Sequence, residues 1–112
     1  GSGTLVIEAA LIATNTAPGL LRHHFGFKRW KKHDGVLWDK LRDEADSKKK
    51  TDLKTMPIIV GYDMDARAVK AAWENAEAAG VREFVHFEKR ELEGIETPKN
   101  AKTGVFVVNP PY

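Results

Sequence analysis

The run Pro57-Ile58-Ile59-Val60-Gly61-Tyr62-Asp63 constrains this chain more than any other feature. It is short, apolar and β-branched, with proline at one end and acid at the other, which suits a strand buried on both faces of a parallel sheet better than a helix. Parallel strands need a crossover between them, and the next residues supply one. Asp65 is placed to cap a helix over 66–79 rather than to bind a ligand. Val69, Ala72, Trp73 and Ala76 fall on one stripe of that helix, and Gly80 offers the left-handed residue that stops it. Phe84 to Phe87 read as the returning strand, so the unit commits the chain to an α/β fold.

Around this unit the pattern is less regular. Residues 4–14 carry good helix formers with Glu8 as the only charge and read as a largely buried helix, ended by Pro18-Gly19. Residues 20–56 are charged and aromatic-bearing and are expected to hold one or two short helices, the clearer near 35–46, where Leu37, Leu41 and Ala45 share a face. Lys48, Lys49 and Lys50 suit an exposed loop. Val105 to Val108 form another β-type run, giving the order helix, insert, strand, helix, strand, strand. At 112 residues this is one domain at most, burying only ~60 to 70% of its unfolded surface.

Composition removes several function classes. No apolar run approaches the ~20 residues of a membrane span. Cysteine is absent, which excludes disulfides and thiolate metal sites within this segment and fits a reducing, cytoplasmic setting. His23, His24 and His33 lack carboxylates at ligand spacing, so no metal site is expected. Eighteen Lys plus Arg against 16 Asp plus Glu give a net charge of only +2, so the distribution of charge says more than its total. From Ala17 to His33 there is no acid, while Arg22, Lys28, Arg29, Lys31 and Lys32 interleave with Phe25, Phe27 and Trp30. That composition suits nucleic acid, and equally a solvated basic face with its aromatics packed inward.

Two further motifs carry chemistry. Gly1-Ser2-Gly3-Thr4 opening a helix has the shape of a nucleotide-binding turn, with glycines that let backbone approach a ligand and a helix N-terminus offering free N–H groups. A plain turn or a tag remnant has the same letters. Val6 stands where the dinucleotide fingerprint has its third glycine, which disfavours a nicotinamide or flavin site. Asp63 ends its strand at the carboxyl edge of the sheet, where a carboxylate can accept both hydrogen bonds of a ribose diol; it lies about 60 residues after Gly3, against the ~20 of a plain dinucleotide fold, because of the insert. Asn109-Pro110-Pro111-Tyr112 must leave the sheet as a rigid loop, since two prolines cannot join a ladder. The Asn109 side-chain oxygen and the Pro110 carbonyl can hold the two hydrogens of a planar amino group and direct its lone pair at a sulfonium methyl, with Tyr112 stacked on the substrate. A double proline after a strand also makes a merely stiff turn.

Taken together, Gly-Ser-Gly-Thr-Leu-Val-Ile-Glu-Ala-Ala, Ala-Pro-Gly-Leu, Phe-Gly-Phe-Lys-Arg-Trp, His-Asp-Gly-Val-Leu-Trp, Gly-Tyr-Asp-Met-Asp and Asn-Pro-Pro-Tyr resemble the large-subunit ribosomal RNA methyltransferase L group, guanine-N2 methyltransferases of 23S RNA. The resemblance implies a Rossmann-like class I methyltransferase three-layer sandwich that uses S-adenosylmethionine and acts on 23S ribosomal RNA. By position, Gly1 and Gly3 match the cofactor turn, Asp63 the ribose acid, and Met64 the residue packing on adenine. Asn109, Pro110, Pro111 and Tyr112 match the catalytic loop. Glu91 falls where the family usually has an aspartate near the adenine amino group. Residues 1–112 are then expected to be a partial catalytic domain with a basic, aromatic insert at about 17–56, the basic residues named above being available to RNA. The family also carries a strand with an Asp-Pro-x-Cys lead-in ahead of the glycine turn, an upstream region resembling a THUMP domain, and several strands after the catalytic loop. The segment is therefore expected to lack the first, central strand and the C-terminal strands, and to be poorly stable and inactive by itself. The closing loop serves adenine-N6 methylation in DNA or RNA and glutamine-N5 methylation in protein in other enzymes, and a non-catalytic nucleic-acid-binding module with this fold is a further alternative.

Overall fold

The computed structural model describes residues 1–109. Helix α1 (Thr4–Ala13) is followed by two short 3₁₀ turns, helix α2 (Gly35–Ser47) and a third turn at Leu53–Thr55. Strand β1 (Val60–Asp63), helix α3 (Ala66–Ala78) and strand β2 (His86–Lys89) complete the regular structure, with 3₁₀ turns at Arg82–Phe84 and Leu92–Gly94.

The crossover unit forms as its sequence requires. β1 and β2 pair in parallel with Val60 opposite His86, Gly61 opposite Phe87, Tyr62 opposite Glu88 and Asp63 opposite Lys89. Asp65 caps α3, its carboxylate accepting from the Arg67 amide at 2.8 Å. Gly80 follows the helix with φ +69°, a conformation that costs glycine little and other residues more. β1 is shorter than its apolar run, Ile58 and Ile59 preceding it, although the Ile59 carbonyl still accepts from the His86 amide at 3.0 Å; β2 starts two residues later than the expected Phe84–Phe87 strand, because Phe84 closes a 3₁₀ turn.

The core lies between α1, α3 and the two strands. Ile7, Ala10 and Leu11 of α1 meet Ala72 and Ala76 of α3, with Val81, Phe84, Val85 and Phe87 closing the cluster. Alanine at 72 and 76 brings the helix backbones close, and both are fully buried. Phe87 is the hub, its ring standing edge-on to Trp73 at 5.3 Å between centroids.

Two expectations are corrected here. α1 is buried along one face only, since Leu5 is 57% and Ile12 78% exposed: all-round apolar character needs cover on both sides, and among the described residues only one side has it. The run Val105–Val108 is in no strand, and its side chains are 54 to 91% exposed. Among the described residues the run pairs with neither β1 nor β2.

The insert folds back on itself. Asn15, at φ +51° just beyond α1, donates from Nδ2 to the Lys48 carbonyl at 3.0 Å, and the Lys50 amide donates to the Thr14 carbonyl at 2.7 Å. Within it Phe25, Phe27 and Trp38 cluster with ring centroids 4.9 to 5.3 Å apart, and His33 lies 5.5 Å from Phe27. Trp38 of α2 therefore faces this cluster, while Leu37 and Leu41, which share a face by spacing, remain about half exposed. For Phe25 and Phe27 the inward reading holds; Trp30 is 73% exposed.

Candidate cofactor and catalytic site

The glycine turn and Asp63 meet in space across 62 positions of sequence. Gly3 is the N-cap of α1 and sits in the left-handed region at φ +85°. A Cβ placed there would stand 2.9 Å from the Ala72 Cβ and 2.9 Å from the Phe87 ring, so the turn lies directly on α3 and β2 and only glycine fits. The Ser2 carbonyl accepts from Asn75 Nδ2 of α3 at 3.0 Å, which fixes the turn from the other side. Beside Gly1 nothing lies within 4 Å of where a Cβ would be.

Asp63 receives this turn. Its Oδ2 pairs with the Gly1 amino group and its Oδ1 accepts from the Asp65 amide at 2.8 Å. The hydrogen bond from the Gly1 ammonium, then that of the Asp65 amide, hold the carboxyl below the usual carboxylate range despite partial desolvation, so it is ionised at neutral pH. A carboxylate has about four lone-pair directions, and the two bonds leave acceptor capacity for a vicinal diol. Met64 follows with 69% of its surface exposed, an apolar face next to the acid. Glu91 is exposed just beyond β2 and starts the Leu92–Gly94 turn, its carbonyl accepting from the Gly94 amide at 3.0 Å. The Arg90 amide donates to the Asp63 carbonyl at 3.0 Å, tying that segment to the end of β1. Arg90 also pairs with Glu88 at 3.2 Å, which raises its pKa and holds its charge, and donates to the Gly94 carbonyl at 3.1 Å.

Gly1, Gly3, Asp63, Met64 and Glu91 are thus gathered around the carboxyl ends of the two strands, the position at which open α/β sheets bind nucleotides. Asn109 ends the exposed run after Gly104, and Pro110, Pro111 and Tyr112 lie outside the described residues. Among the described residues no group of three or more His, Asp or Glu is gathered as a metal ion would need. Four contributors were not singled out from sequence: Gly61, Phe87, Asn75 and Arg90. Gly61 had a usable signal. A Cβ at Gly61 would meet Val6 Cγ2 and the Phe87 ring at 2.8 Å, so the glycine that permits close helix–strand packing stands on the strand, opposite the valine that replaces the fingerprint's third glycine.

A parallel sheet edge carrying a glycine turn and an ionised acid suits a nucleoside, and the family comparison gives that geometry its context. The model of the RMKL-like methyltransferase domain matches residues 1–112. The chain belongs to that family. It is 46% identical over its whole length to a ribosomal RNA large subunit methyltransferase K/L of Syntrophotalea carbinolica and 46% identical to one of Methylococcus capsulatus. It spans 16% and 15% of the length of those relatives. Among solved structures, a protein described as a methyltransferase complexed with SAH superposes with a TM-score of 0.87 at 38% identity, over 99% of this chain and 28% of that one. A protein from Listeria monocytogenes described as a predicted N6-adenine-specific DNA methylase superposes with a TM-score of 0.77 at 35% identity, over 87% of this chain and 25% of that one. The fold is accordingly that of an α/β methyltransferase, represented here by three helices and a two-stranded parallel sheet.

Proposed function

We propose that this domain binds S-adenosylmethionine and, within a longer protein, directs methylation of an exocyclic amino group, guanine N2 in 23S ribosomal RNA. The observation that carries the reading is the convergence of the Gly1–Gly3 turn on Asp63 at the sheet's carboxyl edge. The names of the relatives, ribosomal RNA large subunit methyltransferases, support the substrate class, and the neighbour complexed with SAH supports the cofactor.

In this reading the Asp63 carboxylate accepts the ribose hydroxyls, Met64 covers one face of the adenine, and Glu91 accepts from its amino group. Gly1 and Gly3 keep the turn free of side chains where the amino-acid portion lies. When bound, the cofactor supplies an electrophilic methyl group on a sulfonium. The chain's own contribution to transfer is orientation. Asn109 Oδ1 and the Pro110 carbonyl accept the two amino hydrogens, Pro110 and Pro111 keep those acceptors rigid, and Tyr112 stacks on the base. Arg22, Lys28, Arg29, Lys31 and Lys32 offer positive charge to the RNA backbone. Arg22 is partly committed to its own loop, since its Nε donates to the His24 carbonyl at 2.7 Å and its guanidinium lies 5.1 Å from the Phe25 ring centroid.

Residues 1–112 in isolation are expected not to catalyse, because the Val105–Val108 run leading to the proposed catalytic loop is exposed and pairs with neither strand. A cooperative melt together with micromolar cofactor binding by the isolated chain would contradict this. The function itself is tested by incubating the full-length protein with labelled cofactor and unmodified ribosomal RNA, then digesting to nucleosides. N2-methylguanosine is the expected product. The second reading, adenine N6, is favoured by the description of the Listeria neighbour, and label in N6-methyladenosine would replace the first reading with it.

A further inference from the structure

We infer that Trp30 is a stacking platform for an unpaired RNA base, set among Lys28, Arg29, Lys31 and Lys32, which hold the flanking phosphates. This rests on the reading of the substrate as RNA and adds the residue by which the insert would grip it.

The aromatic residues of the insert divide into two groups. Phe25, Phe27 and Trp38 pack on one another, and His33 packs on Phe27, so these rings are half-buried and form the insert's own small core. Trp30 lies between Phe27 and His33 in sequence yet points away from them, 73% exposed. Its backbone is not loose. The Trp30 amide donates to the Phe27 carbonyl at 3.0 Å, and its carbonyl accepts from the His33 amide at 3.0 Å. The two residues that brace Trp30 are thus themselves anchored in the aromatic cluster, and the indole is held outward on a fixed base. A large ring exposed on an ordered backbone is set up to receive a flat partner without a further backbone ordering cost.

Charge selects the partner. Lys28, Arg29, Lys31 and Lys32 are all exposed, and none of them makes an ion pair among the described residues. No acid occurs from Ala17 to His33 to neutralise them. Four unpaired cations within five residues, centred on an exposed indole, match a strand whose phosphates alternate with flat bases. The base must be unpaired, because bases inside an A-form helix present no free face to a side chain.

The test uses the full-length protein and fluorescence polarisation with a labelled single-stranded oligoribonucleotide, its matched duplex and an acidic peptide, each across a salt series. Trp30→Ala is expected to weaken binding of the single strand by about 5- to 150-fold, with Trp30→Phe retaining most of the affinity. Trp30→Ala should leave the slope of log K against log salt unchanged, whereas Lys31→Ala lowers it by about 0.7, one phosphate contact. Unchanged SAH affinity in Trp30→Ala checks that the domain remains folded. Single-strand affinity within twofold of wild type, an equal loss on the duplex, or preference of the wild type for the acidic peptide overturns the inference. If the Trp30 effect is present but no methyl group reaches RNA, the platform stands and the methylation reading falls; if RNA is methylated and Trp30→Ala binds normally, the converse holds.

Discussion

Replacing Gly3 by alanine should be among the most costly single-methyl additions in the domain, and three glycines allow its two causes to be separated. At φ +85° an L side chain is strained by roughly 1–2 kcal/mol. The added Cβ would also stand 2.9 Å from both the Ala72 Cβ and the Phe87 ring, well inside the ~3.5–4.0 Å of favourable carbon contact. Overpacking of that kind costs about 1–3 kcal/mol, so the total is about 2–5 kcal/mol. Gly80→Ala carries the backbone cost alone, for it has φ +69° and nothing within 4 Å of its Cβ position. Gly61→Ala carries the packing cost alone, since its Cβ would meet Phe87 and Val6 at 2.8 Å. Urea unfolding of the full-length protein, with the midpoint shift multiplied by the slope, should therefore show Gly3→Ala losing about the sum of the other two. On a Phe87→Leu background the Gly3→Ala loss should shrink, because the ring it collides with is gone. If Gly3→Ala costs no more than Gly80→Ala, the glycine turn does not lie on α3 and β2, and the construction of the site from it fails.

Three further outcomes can be checked. Asn109→Ala should abolish methyl transfer while leaving SAH affinity nearly unchanged, as measured by single-turnover transfer and calorimetry; equal loss of both makes Asn109 structural. Asp65→Ala should lower the unfolding midpoint by removing the α3 cap, whereas Asp65→Ser, which keeps a capping oxygen, should restore most of it. In residues 1–112 the pKa of Asp63 is depressed by the Gly1 ammonium and then by the Asp65 amide; inside a longer chain Gly1 carries no ammonium and the Asp65 amide remains, so the carboxylate's contribution to stability is complete above the unfolded value of about 3.9 and lost as pH falls through the lowered folded value. SAH affinity should accordingly be flat from about pH 8 to pH 5 and decline only in stronger acid, and Asp63→Asn should remove that acid limb.

Much of the site was legible in the residues because each piece follows from a local rule. Asp65 as a cap, Gly80 as a stop and the Val69–Ala76 stripe define α3 from sequence, and α3 fixes where β1 and β2 end. Strand termini then put Asp63 at the sheet edge whatever the rest of the chain does. The parts that were not legible depend on partners rather than on propensity. Val105–Val108 has the composition of a strand, but a strand exists only against another edge, and here it is solvent-exposed. The same applies to Leu5 and Ile12, whose apolar character marks a face of α1 without saying what covers it. In the insert, Phe25, Phe27 and Trp30 are equivalent by composition, and only the position of Trp38 on α2 decides which of them turn inward. Gly61 could have been found: a missing third glycine in the turn asks where the close packing is relieved, and the only glycine in the facing strand is the answer.

The most direct test of the central claim, that the glycine turn and Asp63 together form the cofactor site, is a calorimetric titration of SAH into the full-length protein and its Asp63→Ala variant. Two charge-assisted hydrogen bonds to the ribose predict a loss of affinity of roughly tenfold or more, with unfolding of the variant still cooperative. Equal SAH affinity in the two proteins would contradict the account and move the cofactor elsewhere.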